Sequence, residues 1–252
     1  MIRYLERRSW QWWLPLLAGT ALLAAMLAAH ADLLPPGIQV IHIHKPAYLE
    51  RPPGSGPFSM ADIKDALELA KLGDAQAQAN LGIMLQSRGE YKKAAYWYLQ
   101  AANSGIANAQ YNMGTLYFNG EGFPKDYTKA LQWFRQAAQR DNEYAEFQLA
   151  LMHSTGQGVA KDPQREIYWY KRAASQGLAP AAYNLGVIYA NGVEIPADYV
   201  QAYAWMQVAL NGGLDAAGPL SEIASSMTPA QIQQAKVLSK TLAPAVAAAS
   251  QK

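Results

Sequence analysis

The 252-residue chain is 51% apolar and 16% charged, too apolar for a disordered polymer and too polar for a multi-span membrane protein. Its formal charge of +2 lies at the front, where Arg3, Arg7 and Arg8 stand against Glu6; the neutral remainder lacks the clustered basic surface that binding to nucleic acid requires. There is no cysteine, which excludes disulfides, thiolate-held zinc, thiol catalysis and anchoring as an acylated lipoprotein.

Residues 1–31 read as an address. Three arginines are followed by Trp10, Trp12 and Trp13, then by the uncharged run LPLLAGTALLAAMLAA and the small-residue site Ala29-His30-Ala31. A basic start, a short apolar core and an Ala-x-Ala site make a secretory signal peptide. The uncharged stretch over residues 9–29 also matches the ~20 residues of a bilayer-spanning helix, so an uncleaved inner-membrane anchor is the alternative. Either form carries residues 32–252 out of the cytoplasm, and the periplasm is the expected location.

Residues 32–58 form a linker. Pro35, Pro36, Pro46, Pro52, Pro53 and Pro57 exclude a helix. Within it the β-prone segment Ile38–His44 is apolar enough to dock, on its own chain or on a partner's sheet edge. His42 and His44 share one strand face, but two ligands do not close a zinc site.

From residue 59 a period governs the chain. Trp97, Trp133, Trp169 and Trp205 recur every 36 residues, as do Gly114, Ala150 and Gly186. Gly82 precedes Gly114 by 32. The first unit is shorter because it lacks the loop written GEGFPKD, GQGVAKD and GVEIPAD in units two to four. A deletion confined to a glycine-containing loop implies two helices joined by a turn. The first, helix A, carries stripes four residues apart: Ala77, Leu81 and Leu85; Ala109, Met113 and Tyr117; Ala145, Leu149 and His153; Ala181, Leu185 and Tyr189. The second, helix B, carries Ala94, Trp97, Ala101 and Ala102, echoed by Ala130, Trp133, Ala137 and Ala138. Neither helix buries its stripe alone, so the units stack, with the tryptophans as core. Trp133→Ala is then expected to cost about 3–5 kcal/mol.

These residues resemble the Sel1-like repeat, a relative of the tetratricopeptide repeat. The resemblance rests on A-x-x-x-L-G, G-x-G-V-x-x-D and A-x-x-W-x-x-x-A-A, seen in unit two as Ala109 to Gly114, Gly120 to Asp126 and Ala130 to Ala138. It implies an all-α, right-handed α-solenoid of helix-turn-helix repeats over residues 59–213, a half-repeat followed by four repeats. Glu166 stands in place of the family's alanine, Glu194 in place of the second loop glycine, and Asp141 in place of the glycine that ends helix B.

Both ends carry caps. Ser59-x-x-Asp62 opens a helix expected to reach Leu72. Residues 214–243 form a C-terminal cap in which Thr228, Pro229 and Gln231 make a capping box. Its helix is expected to stop near Leu242, before Pro244, leaving 244–252 as a flexible tail.

No catalytic constellation is visible. HExxH, a phosphate loop, Ser-x-x-Lys and Lys-Thr-Gly are all missing. Asp126, Asp162 and Asp198 recur one repeat apart and read as N-caps of helix B. His153 stands where units two and four have tyrosine and reads as a core substitute. No cofactor and no metal are expected.

One helix-A position carries an amide in every unit: Asn80, Asn112, Gln148 and Asn184. Tyr111, Phe147 and Tyr183 precede three of them. In tetratricopeptide relatives the matching Asn pairs with the backbone of a peptide in the concave groove, so the resemblance implies a partner-binding ladder with apolar pockets beside it. Spacing alone shows a polar ladder, and the same amides could brace neighbouring helices while the aromatics fill the core. The expected function is a non-enzymatic adaptor of the bacterial envelope that binds a protein or peptide. The alternatives are a wall-active enzyme or accessory and a passive spacer.

Overall fold

The chain divides into two units, 1–36 and 37–252. The computed structural model describes Phe58 and residues 60–249, with side chains through Leu242. The signal or anchor segment, the His42/His44 segment and Ser59 therefore lie outside the described residues. The described residues form eleven helices and no strand. They are α1 (Met60–Lys71), α2 (Ala75–Gln86), α3 (Tyr91–Asn103), α4 (Ala107–Asn119), α5 (Tyr127–Ala138), α6 (Glu143–Thr155), α7 (Pro163–Ser175), α8 (Ala179–Asn191), α9 (Tyr199–Asn211), α10 (Ala217–Ser225) and α11 (Pro229–Ala249). Helices α2, α4, α6 and α8 are the A helices; α3, α5, α7 and α9 are the B helices. From α1 to α10, each helix packs mainly against its chain neighbours, most extensively within each A–B hairpin. That is the one-dimensional stacking of an α-solenoid.

The stripes bury as their spacing requires. Leu81, Met113, Leu149 and Leu185 are enclosed, as are the alanines of helix B. The tryptophans correct the sequence reading. Trp205 is buried, but Trp97, Trp133 and Trp169 are only half-buried, each packed along the edge of a core cluster. The enclosed large side chain is the next residue: Tyr98, Phe134, Tyr170 and Met206. A glycine on helix A makes room for it. A Cβ on Gly82 would lie 2.5 Å from the Tyr98 ring, and one on Gly114 would lie 2.6 Å from Phe134. In unit three Ala150 takes this seat, and Tyr170 meets Phe147 edge-on at 5.3 Å. Gly114→Ala is therefore expected to destabilise by about 1–3 kcal/mol through overpacking, read as a lowered thermal midpoint; an unchanged midpoint would mean that the ring gives way freely.

The turns explain the deleted loop. The residue opening helix B bonds back to helix A in every unit: Asp126 N–H to Tyr117 O at 2.9 Å, Asp162 to His153 at 3.1 Å, and Asp198 to Tyr189 at 2.9 Å. Unit one makes the same closure between Glu90 N–H and Leu85 O at 3.0 Å with four fewer residues. Asp126, Asp162 and Asp198 accept from backbone N–H groups of the first turn, so they are N-caps as expected. Helix B of units one, two and four precedes a left-handed residue at Gly105, Asp141 and, after α9, Gly213, with Gly177 doing the same in unit three. Asp141, at φ 55°, is the one non-glycine residue with positive φ among the described residues; its carboxylate meets the Arg172 guanidinium at 2.6 Å.

At the front, α1 packs on α2 as a half-repeat. At the back, Thr228 and Gln231 form the capping box, with Thr228 N–H donating to Gln231 Oε1 at 2.9 Å and Gln231 N–H to Thr228 Oγ1 at 3.3 Å. The expected stop at Pro244 is not observed. α11 continues to Ala249, so 244–249 belong to the cap helix rather than to a tail. A proline removes one backbone bond, and the alanine-rich sequence around it has the highest helix propensity. α11 packs on α9 and on α7, and α10 packs on α9, so the cap lies against the B row. No described helix is long and apolar enough to cross a membrane.

Candidate functional site

The four amide positions fall on one row of A helices but do not share one environment. Asn80 and Gln148 are partly exposed, whereas Asn112 is 7% exposed and Asn184 is fully enclosed. Asn80 Oδ1 accepts from Gln76 Nε2 at 3.0 Å. Asn112 Nδ2 is buried without a hydrogen-bond partner. Asn184 lies beside the Tyr170 hydroxyl of the preceding helix. The aromatics beside the ladder are nearly closed: Tyr111 is 9% exposed, Tyr183 8% and Phe147 0%. Tyr111 packs on Phe134 at 5.7 Å and Tyr144 at 6.0 Å. Burial raises its hydroxyl pKa to about 12, an effect opposed by Thr115 and by Gln148 of the next unit.

The open part of the A row only partly coincides with the ladder. In unit two it comprises Asn108, Thr115, Phe118 and Asn119; in unit three it comprises Tyr144, Gln148 and Thr155. Helical periodicity could have located these positions: with Ala109, Met113 and Leu116 buried, residues 108, 115 and 119 turn outward together. Asn108 also serves the stack, because its Oδ1 accepts at 2.7 Å from Nδ2 of Asn142, the N-cap of α6.

A second amide position, two residues before the ladder, stitches the units together. Gln78 Nε2 donates to Ala70 O at 3.2 Å, and Gln110 Nε2 to Ala102 O at 3.1 Å, each satisfying a carbonyl at the end of the preceding helix. Unit three has Glu146 here, which in its ionised form cannot donate. Arg172 supplies the donor instead, reaching Ala138 O at 3.4 Å, Glu146 Oε1 at 2.8 Å and Asp141 Oδ1 at 2.6 Å. Gln176 Nε2 completes the set on Glu146 Oε2 at 2.7 Å. Burial pushes Glu146 up to about 7 against the opposing pull of Arg172 and Gln176.

Glu166 occupies the seat held by Ala94, Ala130 and Ala202, all of them enclosed. It is 2% exposed, and burial raises its pKa to about 7, with Ser154 pulling the other way and Glu194 reinforcing the rise. Its Oε1 has no hydrogen-bond partner. A carboxyl closed in to this degree touches no substrate in the folded chain. His153 is buried, and burial lowers its pKa, so it is held neutral in the core seat expected of it. Among the described residues no cluster of His, Asp or Glu has the makings of a metal site.

Unit four also departs at its loop. Gly122 and Gly158 have φ 77° and 71° and press their backbones on Tyr91 and Tyr127, the first residues of the preceding B helices. Glu194 replaces this glycine, and its φ is not positive. The preceding B helix here begins at Pro163 and Gln164, and beside it lies a groove of about 560 Å³ lined by Gln164, Ile167, Lys171, Tyr189, Ile195 and Pro196, among others.

A family model described as Sel1 repeat matches residues 75–106, 107–142, 143–178 and 179–214, the same four hairpins. Three solved structures are similar. A protective antigen present in uropathogenic Escherichia coli strains, displaying an SLR fold, is 29% identical over 75% of this chain and 50% of that one, with a TM-score of 0.49. A Sel1 repeat protein from Oxalobacter formigenes is 28% identical over 64% of this chain and 48% of that one, with a TM-score of 0.57. A sel1 repeat protein from Klebsiella pneumoniae subsp. pneumoniae is 23% identical over 75% of this chain and 96% of that one, with a TM-score of 0.47. The chain spans about half the length of the first two. No curated protein matches the sequence.

Proposed function

The chain belongs to the Sel1 repeat family, whose members generally mediate protein–protein interaction without catalysis, and on that premise we propose that it is a non-enzymatic adaptor of the bacterial cell envelope that holds a partner segment on its A-helix row. The observation that carries this reading is the placement of the caps. α10 and α11 pack on the B row, and the A row of units one to three keeps partly exposed amides and other side chains, Asn80, Asn108, Thr115, Tyr144 and Gln148. A solenoid presents such an extended inner face to its ligand. The envelope location rests on the arginine-led apolar segment and Ala-x-Ala site of residues 1–31. A wall-active enzyme finds no support, since the two carboxyls with pKa values raised to about 7 are both enclosed.

Photo-crosslinking in cells tests the site. A crosslinking residue at Thr115 or Gln148 is expected to give a discrete protein adduct, and one at Gln132 or Lys92 on the B row is not. Adducts from the B row alone would overturn the assignment. The location has its own measurement: alkaline phosphatase fused after Phe58 is expected to be active, and an inactive fusion with an intact, abundant chain would place the protein in the cytoplasm.

A further inference from the structure

The charges of the repeat array are sorted by row. α2, α4 and α8 contain no charged residue, and α6 contains only Glu143, Glu146 and the buried, neutral His153 as groups able to carry charge. Glu146 is enclosed against Arg172. The B helices carry the exposed cations, among them Lys92, Lys93, Lys129, Arg135 and Lys171. The open A row thus offers amides, hydroxyls and apolar edges along its length, with isolated carboxylates only at the helix ends: Asp74 capping α2, Glu121 held by Gln86 and Asn119, and Glu143 opening α6. The exposed cations lie on the B helices, so the near-absence of charge belongs to this face.

We infer that the segment held on the A row is an uncharged, extended peptide, recognised by amide pairing and apolar contact rather than by ion pairs. This rests on the reading of the A row as the partner site. An ionised side chain laid on this face would lose water without gaining a counter-charge, a penalty that a neutral segment does not incur. A carboxyl terminus, a phosphopeptide or a basic segment needs a clustered opposite charge, and the row has none. The amides of Asn80, Asn108 and Gln148 each offer both a donor and an acceptor, which matches the backbone of an extended chain. A neutral sugar would use the same amides but stacks on ring faces, and the rings of Tyr111, Phe147 and Tyr183 are closed to 9% exposure or less; Phe118 and Tyr144 are partly open, so sugar binding is one of the outcomes the test reads.

The test is selection of displayed random peptides of about a dozen residues on the full chain in mild detergent. Enriched peptides are expected to be depleted in Asp, Glu, Lys and Arg relative to the library. Binding of a synthetic representative is expected to change less than about twofold between ~0.05 and ~0.5 M NaCl. Thr115→Lys and Gln148→Lys, each checked for folding by circular dichroism, are expected to weaken it at least about tenfold. Enrichment of charged, salt-sensitive peptides that still lose binding in these variants would overturn the neutral partner and leave the A-row site standing. Peptides unaffected by either variant, or no enrichment over an unrelated protein, would overturn the site itself. Binding of a neutral oligosaccharide panel in place of peptides, or occupation of the face by a second copy seen as a doubled mass, would also overturn the inference.

Discussion

Phe134→Ala is expected to lower the unfolding free energy by about 3–5 kcal/mol, and Trp133→Ala, one residue earlier in the repeat signature, by only about 1–3 kcal/mol. The difference follows from position on α5. Phe134 is enclosed, rests on the bare Cα of Gly114, and meets Tyr111 at 5.7 Å and Phe118 at 6.3 Å. Glycine leaves no side chain to move into the hole, so truncation creates a cavity at the centre of the hairpin. Trp133 packs along the edge of the preceding unit's core and keeps part of its ring in water. Each hairpin touches only its neighbours, so the loss at Phe134 also weakens the coupling of units one and two to the rest. Urea titration followed by helical signal should therefore show a lower midpoint and a broader transition for Phe134→Ala. A larger loss from Trp133→Ala would reverse the assignment of the core.

The contrast shows where the sequence was readable. The period of 36 located the hairpins, and the missing loop of unit one was placed correctly because the closing bond from Glu90 to Leu85 survives the deletion. The tryptophans mark the repeat most visibly, yet the enclosed residue varies among Tyr98, Phe134, Tyr170 and Met206. What identifies it is the partner glycine or alanine on helix A, a pairing between helices that linear spacing does not display. The amide ladder was legible as a ladder, but its exposure was not: Asn184 is enclosed while Gln148 stays open. Exposure on an A helix is set by the helices packed against it, as at Asn184, which lies beside the Tyr170 hydroxyl of α7. Pro244 misled for a different reason, since a local stop signal yielded to an alanine-rich context.

The departures from the repeat pattern are concentrated around unit three and are physically linked. Glu146 replaces a glutamine that donates to the preceding helix, and Asp141 replaces a glycine in a left-handed turn, a conformation that costs a non-glycine residue about 1–2 kcal/mol. Arg172 answers both by standing between the two carboxylates and the Ala138 carbonyl. The three residues form one charged substitute for the neutral stitch of units one and two.

Glu166 has no such answer, and its titration gives the second large effect. Its pKa is raised from 4.5 to about 7, chiefly by burial, so between those values the folded chain binds a proton that the unfolded chain releases. Stability therefore rises as pH falls from about 7 towards about 4.5, and it is lost as pH rises through the folded value. At ~1.4 kcal/mol per pKa unit the contribution is about 3 kcal/mol. Glu146, raised to about 7 in the face of Arg172, acts in the same direction. Glu166→Gln removes the charge and keeps the shape. It is expected to raise stability at pH 8 by roughly 2–3 kcal/mol, to change little at pH 5, and so to flatten the pH profile by about the contribution of one carboxyl. Glu166→Ala also removes the charge but leaves a hole beside Tyr170 and Ser154, so its gain at pH 8 should be smaller. Urea titrations of wild type and both variants at the two pH values measure these differences. Equal slopes against pH in wild type and Glu166→Gln would mean that the carboxylate is reached by water and is not held as the enclosed geometry requires.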